Sequence, residues 1–516
     1  MIGSGIAGLR AAIALADVGR VTVLTKADPL ESNTGYAQGG IAVAIGADDS
    51  SARHVQDTVM AGDGLCRADA VRVLVAEGPR YVHELLDWGT CFDRDAFGAP
   101  ALGREAAHSA RRVLHARDAT GREIGRVLWM KVAAHPQVTV LDDALAFELV
   151  VRKGVCHGAL FLDREGRSRR VEARCTLIAT GGAGQVYRET TNPRIASGDG
   201  LAMAAEAGAR VTDLEFVQFH PTVLSVEGRP RFLLSEALRG EGAYLVNASG
   251  ERFVLRDHEA RELAPRDLLA RSIAREQTRT GAPVMLSMAH LDSGFVRERF
   301  PTITRACRDV GLDLARDPIP VSPAAHYVMG GIETDLDGRT SIEGLFAAGE
   351  AACTGVHGAN RLASHSLLEG LVFGARAAAA MTGTWVAPAP MGPLAGEEMP
   401  PGHDTVVPSE RDVRDLMWTH VGVTRTGADL SASVLMLANW RTALLASARS
   451  EGQALRDHRR LSSLTTVGYL IARAALRREE SRGGHYRSDF PVRDDIHWRV
   501  HMAARLEPVD RPTYRA

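Results

Sequence analysis

The chain opens with a glycine-rich turn that runs into a helical pattern, and no other feature limits its possible folds as much. Gly3, Gly5 and Gly8 fit the pattern GxGxxG, and residues 6–18 place Ala and Leu at helical spacing. Such glycines permit a tight turn and a close approach of the backbone to a pyrophosphate, which the free N–H groups of the helix N-terminus bind. The run VTVL at 21–24 predicts a parallel strand after the helix. The opening therefore predicts an α/β, Rossmann-like domain that binds a dinucleotide.

Very little chain precedes this turn. Only Met1 and Ile2 come before Gly3, whereas the fold requires a buried strand at this point. Either the central strand is almost absent, or the true start of the protein lies a few codons upstream, and we favour the second interpretation. On that interpretation we expect the chain as given to be less stable and to bind its cofactor poorly. An inactive, truncated product is then one alternative.

The composition excludes several classes of function. A chain of 516 residues is too long for one compact core, so two or three domains are expected. Its 61 Lys and Arg against 63 Asp and Glu give a formal charge of -2, which excludes a general attraction to nucleic acid or anionic lipid. No apolar run reaches about 18 residues, so no membrane-spanning helix is expected. The six cysteines form neither CxxC pairs nor a metal-ligand spacing, which indicates a metal-free protein of the reducing cytoplasm.

The patterns along the chain divide it into three parts. Strand patterns recur at 138–141, 147–151 and 176–180, and the dinucleotide-type pattern resumes near 344–350. A proline-rich linker comes next, with Pro388, Pro390, Pro393, Pro400, Pro401 and Pro408. We therefore predict a nucleotide-binding domain over 1–213 and 329–395, an inserted α+β capping domain over 214–328 and a C-terminal helical domain over 405–516.

The identity of the nucleotide is indicated less by the first turn than by the later segments of the chain. The acid that usually binds the ribose of NAD, about 20 residues further on, is missing, and the second strand ends in Thr25 and Lys26 instead. This disfavours NAD and leaves Thr25 or the backbone to bind the ribose. Two later strands also end in small residues, at TLIATGG (176–182) and GLFAAGE (344–350). Three such ends favour an extended dinucleotide such as FAD, with Glu350 accepting a hydrogen bond from a ribityl hydroxyl.

Two other segments suit the same cofactor. Gln38 is followed by Gly39 and Gly40, and consecutive glycines allow a backbone to lie flat against a planar ring. Asp199 opens an Ala-rich helix. Its carboxylate is expected to cap that helix, to bind FAD, or to do both.

Polar clusters in the inserted region and just after it suggest the substrate. His220, His326, Arg266 and Arg361 lie beside Gly or Pro turns rather than on exposed helical faces. A dicarboxylate requires such a set, because each carboxylate can pair with a fork-shaped guanidinium or with an Arg and a His donor. Each residue taken alone is more often part of a structural ion pair. The interpretation therefore depends on the fold bringing the four side chains together.

These motifs together resemble the flavoprotein family of succinate dehydrogenase, fumarate reductase and L-aspartate oxidase. The resemblance extends from residue 1 to about residue 490, and the motifs occur in the family's order. The matching strings include GSGIAGL, NTGYAQGGIA, HARDATGREI, LIATGGAGQVY, EFVQFHPT, LLSEALRGEGAYL, LAPRD, PAAHYVMGGI, GLFAAGE and GVHGANRLAS. The resemblance implies a Rossmann-like FAD-binding domain with an inserted α+β capping domain and a C-terminal helical domain.

The resemblance also implies roles for the matching residues. His220, His326 and Arg361 are expected to hold the two carboxylates, and Ser235 and Glu236 to line the same pocket. Arg266 is expected to handle a proton near Cα and Cβ, although an Arg side chain normally keeps its own proton. FAD binding is expected from Gly3, Ser4, Gly5, Gly8, Thr25, Lys26, Ser32, Thr34, Gln38, Gly39, Gly40, Asp199, Glu350, Ser366 and Leu367.

Two positions favour the aspartate-oxidising branch of the family. Asn33 stands where members in membrane complexes carry a His bonded covalently to FAD, so the FAD is expected to be non-covalent. The loop with Glu105 matches the loop whose Glu contacts the amino group of the substrate. The resemblance then implies oxidation of L-aspartate to iminoaspartate by hydride transfer to FAD, with O₂ or fumarate as acceptor. In the family this step begins NAD biosynthesis through quinolinate, which makes quinolinate synthase an expected partner.

Two alternatives and two departures from the pattern remain. A soluble fumarate reductase or succinate dehydrogenase-type flavoprotein would use the same residues for the carboxylates. A flavin-binding subunit of a membrane respiratory complex is disfavoured by Asn33. His365 stands where the family usually has Asn, which is expected to alter the flavin potential or its reoxidation. Ala106 and Ala107 replace a usual pair of glycines, which is expected to stiffen the Glu105 loop.

Overall fold

The computed structural model describes residues 1–384, 406–447 and 452–506. In these residues the α-helices are α1 (Ile6–Ala16), α2 (Ser51–Ala61), α3 (Ala68–Asp87), α4 (Thr120–Ala133), α5 (Asp199–Glu206), α6 (Ala237–Gly240), α7 (Arg266–Thr280), α8 (Ser293–Arg299), α9 (Pro301–Arg308), α10 (His365–Thr382), α11 (Glu410–His420), α12 (Gly427–Ala446) and α13 (Gln453–Arg477). Of the predicted proline-rich linker, all but Pro408 lies outside the described residues.

The strands are β1 (Val21–Leu24), β2 (Ile41–Ala42), β3 (Leu102–Gly103), β4 (Val113–Leu114), β5 (Val138–Leu141), β6 (Leu145–Arg152), β7 (Val155–Leu162), β8 (Ser168–Glu172), β9 (Thr176–Ile178), β10 (Val211–Thr212), β11 (Val217–Leu224), β12 (Phe232–Leu233), β13 (Tyr244–Val246), β14 (Val284–Ser287), β15 (Ile319–Val328), β16 (Gly331–Glu333), β17 (Leu345–Ala347), β18 (Ala352–Cys353) and β19 (Ala503–Ala504).

A parallel sheet forms the nucleotide-binding part of the molecule. β1 pairs with β5 and β17 pairs with β9, all in parallel register. The predicted strands at the start of the chain and near 138, 176 and 345 are therefore present. α1 packs on this sheet through small side chains such as Ala11 and Ala12, both fully buried. Their size lets α1 lie close against α10, which covers the same face.

The central strand of this sheet is reduced to one residue. Ile2 forms a parallel bridge to Leu24 on one side and to Ile178 on the other. Its N–H donates to Leu177 O at 2.9 Å, and its carbonyl accepts from Ala179 N at 2.8 Å. The sequence expectation of an almost absent strand is met in this form, and the residue still joins the two halves of the sheet. Gly3 comes next at φ 108°, a conformation that favours glycine.

A second, antiparallel sheet faces the first part. Its strand order is β12-β11-β15-β14-β13. Every residue of β11 is buried, because the strand pairs with β15 along its length and α7 packs across it. The apolar core beneath this sheet includes Leu245, Leu286 and Ile273. The sheet carries polar side chains of β11 and β15 to one edge, beside the ends of the parallel strands.

The C-terminal helices α11, α12 and α13 pack against one another and onto α5. α11 begins with a capping box between Ser409 and Asp412, which pairs two N–H groups that the helix end leaves free. Leu437 and Val467 join the same apolar core as Met203 of α5. Within the described ranges, no helix combines the length and apolar character needed to cross a membrane.

Candidate functional site

A large cavity lies where the ends of the parallel strands meet the antiparallel sheet. It encloses about 1550 Å³, counting its solvent-open mouth. Its wall includes every residue predicted for the cofactor and substrate sites except Gly8. Gly8 faces the backbone instead, since a Cβ there would collide with the carbonyl oxygen of Gly3. Gly8 therefore keeps α1 tight against the first turn without lining the cavity.

At one end of the cavity the first turn meets the end of β1. Ser4 Oγ donates to Pro29 O at 2.8 Å and lies 3.0 Å from Thr25 Oγ1. The ammonium group of Lys26 pairs with the carboxylate of Asp199. The expectation that Asp199 caps its helix is wrong. The N-cap of α5 is Gly198 in a left-handed conformation, and no side chain caps this end.

The walls of this end suit FAD. Asn33 Oδ1, Gln38 Oε1 and Asp199 Oδ1 are buried and have no hydrogen-bond partner among the described residues. A buried acceptor without a partner is costly, so native proteins rarely leave one unpaired. These oxygens line the cavity as free acceptors, matching the hydroxyl and N–H donors of a ribityl chain and a flavin ring.

Glu350 lies just after β17 and is the acidic group at this strand end. Its carboxylate accepts from Asn33 Nδ2 at 3.0 Å and from Val328 N at 3.2 Å. Burial raises the pKa of Glu350 to about 7, an effect that the two donors only partly oppose. Asn33 thus contacts the cavity through a carboxamide, which carries no nucleophilic nitrogen.

At the other end of the cavity, Arg361 and His326 lie side by side. Arg361 NH2 donates toward His326 Nε2 at 3.2 Å, and its guanidinium lies 4.4 Å from the centre of the Tyr327 ring. Burial, with Arg266 next, lowers the pKa of Arg361 to about 10. The His326 and His220 rings are 5.2 Å apart. Burial lowers the pKa of both imidazoles far below the ordinary value, helped by the neighbouring guanidinium groups.

Arg266 begins α7 and is fixed by two acceptors. Its Nε donates to the Glu236 carboxylate, and NH1 donates to Gln218 Oε1 at 2.8 Å. Burial alone would raise the pKa of Glu236, but Arg266 and then Arg239 outweigh it, so the pKa is lowered and the group is ionised. Ser235, next to Glu236, lines the same part of the cavity.

Glu105 is a second buried carboxylate at this end. Ser364 Oγ donates to Glu105 Oε2 at 2.6 Å. Burial, and then the negative charge of Glu236, raises the pKa of Glu105. The side chain is 4% exposed, and a Cβ added to Gly39 would collide with it. The site thus brings a carboxylate into a pocket otherwise rich in Arg and His.

Comparison with known proteins places this architecture. A family model described as FAD binding domain matches residues 1–367, and one described as Fumarate reductase flavoprotein C-term matches residues 410–514. An L-aspartate oxidase of Streptomyces coelicolor is 45% identical, covering 98% of this chain and 91% of the relative. An L-aspartate oxidase of a Nostoc species is 42% identical, covering 97% and 92%. A solved E. coli quinol fumarate reductase is 31% identical with a TM-score of 0.87, covering 97% and 93%.

The chain belongs to the L-aspartate oxidase family. Membership confirms the fold class and the resemblance predicted from the sequence. It also makes the chain an FAD-dependent oxidoreductase, in agreement with the free acceptors along the cavity.

Several residues of the site were not predicted from the family motifs. Thr191 lies 2.8 Å from His326 Nδ1, and Tyr327 underlies Arg361. Both stand inside matching strings, so their neighbours were a usable signal. Glu369 accepts from Tyr327 Oη and Thr354 Oγ1, each at 2.7 Å. Nothing in the segment SLLEG distinguishes Glu369 from an ordinary helix residue.

The two departures from the L-aspartate oxidase pattern lie close to Glu105. Ala107 adopts φ 64°, so the second Ala is in a left-handed conformation rather than only making the loop stiffer. His365 is fully buried behind Ser364 and does not line the cavity.

Proposed function

We propose that this chain oxidises L-aspartate to iminoaspartate. Relatives that cover nearly the whole chain carry the name L-aspartate oxidase. The observation that carries the proposal is Glu105, a buried carboxylate in a pocket otherwise lined by Arg and His side chains. A dicarboxylate needs only the basic groups, whereas an additional ammonium group needs an acceptor such as Glu105.

The binding roles are assigned from the arrangement of charge. We assign one carboxylate of the substrate to Arg361 and His326, and the other to His220 beside Ser235. Glu105 receives the ammonium group, which compensates the repulsion between its carboxylate and that of Glu236. Arg266 lies between these groups and holds positive charge near Cα and Cβ. Its contacts with Glu236 and Gln218 orient it, and we propose that Glu236 shares in moving the proton.

We propose that FAD is bound non-covalently, because Asn33 offers a carboxamide in place of a nucleophile. The residues assigned to hold it are Gly3, Ser4, Gly5, Thr25, Lys26, Ser32, Thr34, Gln38, Gly39, Gly40, Asp199, Glu350, Ser366 and Leu367, with Gly8 shaping the turn. When bound, FAD supplies the hydride acceptor. Flavin released into the supernatant on acid precipitation would support non-covalent binding, and flavin retained in the pellet would contradict it.

Anaerobic mixing of the holoenzyme with candidate substrates tests the function. L-aspartate is expected to bleach the flavin absorbance, because it presents both carboxylates and the ammonium group to their partners. D-aspartate and succinate are the matched controls, since one reverses the configuration at Cα and the other lacks the amino group. Bleaching by succinate but not by L-aspartate would overturn the proposal.

The second candidate is a fumarate reductase, favoured by the 31% identity to a solved quinol fumarate reductase. Both activities would use the same groups for the carboxylates, so Glu105 distinguishes them. Glu105→Gln is expected to slow aspartate oxidation about 100-fold, on the scale of losing a charged hydrogen bond, while fumarate reduction by reduced dye changes much less. Equal losses would remove the role of Glu105 in binding the amino group.

We further propose that O₂ or fumarate reoxidises the enzyme and that quinolinate synthase consumes the iminoaspartate. The support is the family resemblance and the instability expected of a free imine in water. Mixing both enzymes with the remaining substrate of the synthase should yield quinolinate only when L-aspartate is present. No quinolinate under those conditions would contradict this partnership.

A further inference from the structure

Three histidines meet behind the substrate end of the cavity. His54 lies on α2, His108 ends the Glu105 loop, and His365 is the first residue of α10. The Nε2 atoms of His54 and His365 are 2.9 Å apart, and the rings of His108 and His365 stack with centroids 5.9 Å apart. The side chains are 0–2% exposed, and none of the three lines the cavity. Any effect on substrate must therefore pass through other residues.

The carbonyl oxygen of Ala363 joins two of these rings. His365 Nδ1 lies 3.0 Å from it and His108 Nε2 lies 3.1 Å from it. A carbonyl only accepts, so both nitrogens carry protons and donate. A neutral His365 with its proton on Nδ1 leaves Nε2 as the acceptor for the Nε2–H of His54. Burial lowers the pKa of His54 to about 3 and that of His108 to about 4, in agreement with neutral rings.

The residue after Ala363 holds the carboxylate of Glu105. Ser364 Oγ donates to Glu105 Oε2 at 2.6 Å. Ser364 takes φ 58°, a conformation uncommon for a residue with a side chain, so its surroundings must hold it in place. The hydrogen bonds to Ala363 and the His54–His365 pair provide such a constraint on both sides of Ser364.

The other end of the Glu105 loop is anchored to α2. Ser109 donates its backbone N–H and its hydroxyl to Asp57, each at 2.8 Å, and Arg112 donates to the same carboxylate at 2.5 Å. α2 also carries His54. The start of α10, the Glu105 loop and α2 are thus joined by buried polar contacts, and His365 takes part in two of them.

We propose that the His54–His108–His365 cluster positions Glu105 and thereby sets the preference for dicarboxylates with an ammonium group over those without one. The inference rests on the proposed function, in which Glu105 meets the substrate ammonium. The three histidines are positioning residues, because they act through Ala363 and Ser364. The pocket for the carboxylates does not depend on this cluster, since Arg361 is placed by His326 and Tyr327, and Arg266 by Glu236.

Replacing His365 separates these two parts of the site. His365→Phe keeps a ring against His108 but removes both nitrogens, leaving a buried N–H of His54 without its acceptor. The KM for L-aspartate is expected to rise about 10-fold, the scale of one displaced polar contact. The Ki of succinate, which lacks the ammonium group, should change less than about 2-fold on the same scale. His365→Asn, which keeps a donor and an acceptor, should retain most of the discrimination. Equal weakening of both ligands by His365→Phe would overturn the proposal.

A double-mutant cycle tests whether the effect passes through Glu105. In the Glu105→Gln background, His365→Phe should change the ratio of KM to Ki little further, because the positioned carboxylate is already gone. Multiplicative losses would show an independent effect and overturn the proposal. If His365→Phe does not fold with FAD, His108→Leu provides the same cycle from the loop side. Oxidation of L-aspartate by the parent enzyme is measured first, so failure of the proposed function is seen before any variant is compared.

Discussion

At the scale of single residues, the Glu105 loop contains a backbone conformation that its sequence does not favour. Ala107 has φ 64° and is exposed, so no packing compensates for the conformation. A left-handed residue with a Cβ costs about 1–2 kcal/mol relative to the right-handed form. Because Ala107 lies two residues after Glu105, this strain is held in the segment that places the carboxylate. The polar contacts of Ser109 and His108 keep the loop in this form.

Ala107→Gly is therefore expected to stabilise the protein. Removing the Cβ relieves the strain, while the added freedom of the unfolded chain offsets about 0.4–1 kcal/mol. A net gain of up to about 1 kcal/mol in unfolding free energy should appear as a slightly higher Tm. Ala106→Gly is the matched control, because Ala106 is buried and not left-handed, and it should lower the Tm. Similar losses for both variants would show that Ala107 is not strained.

At the scale of elements, the cofactor end of the cavity is assembled from the carboxyl ends of parallel strands. Glu350 lies after β17, Thr25 lies after β1, and the Ile2 bridge lies between β1 and β9. Strand ends at one edge of a parallel sheet are a general place for a nucleotide. Placing an acid there buries it, and the protein without its cofactor should bear that cost.

Glu350→Gln should reveal this cost as a pH dependence of the apoprotein. The pKa of Glu350 is raised to about 7 by burial, above its ordinary value of 4.5. The folded state then binds the proton more tightly than the unfolded state, so the stability from this group is present at low pH. It is lost as pH rises from about 4.5 through about 7, by about 3 kcal/mol at most. The variant should exceed the parent in apoprotein Tm at pH 8 and match it at pH 4.5.

The same substitution should weaken FAD binding about 10-fold, because one carboxylate acceptor is lost. Glu227→Gln, on the exposed surface, is the control and should change neither quantity. A Tm difference that is equal at both pH values would exclude titration of Glu350 as its cause.

The sequence was sufficient for the elements and for most of the cavity wall. The GxGxxG turn, the later strand ends and the motif strings are local, so each predicts its own helix, strand or side chain. Long-range polar pairing is not local in this way. The His54–His365 contact joins residues 311 positions apart, and Glu369 reaches Tyr327 from the middle of an ordinary helix. The helix-capping role expected of Asp199 failed for the same reason, since its partner Lys26 is far away in sequence.

At the scale of the whole molecule, the segment after α13 supports the substrate site from outside. Arg478 is fully buried and donates to Glu215 at 2.6 Å, just before β11 begins. Gly484 donates its N–H to Ala359 O at 2.8 Å. Ala359 precedes Asn360 and Arg361, so the C-terminal part of the chain contacts the backbone that presents the substrate-binding Arg. The C-terminal part therefore contributes to the geometry of the site as well as to the core.

Gly483→Ala should show this dependence in the kinetics. Gly483 has φ 48°, and a Cβ there would collide with the carbonyl oxygen of Ala359. Shifting that backbone moves Arg361, so the KM for L-aspartate is expected to rise about 10-fold while the affinity for FAD stays unchanged. Gly250→Ala is the matched control, because Gly250 has φ 80° and no described heavy atom within 4 Å of the added Cβ. Both variants bear a similar cost of about 1 kcal/mol for the left-handed conformation, so both should lower the Tm. Only Gly483→Ala should change the KM, and an equal change in both would assign the effect to lost stability rather than to the position of Arg361.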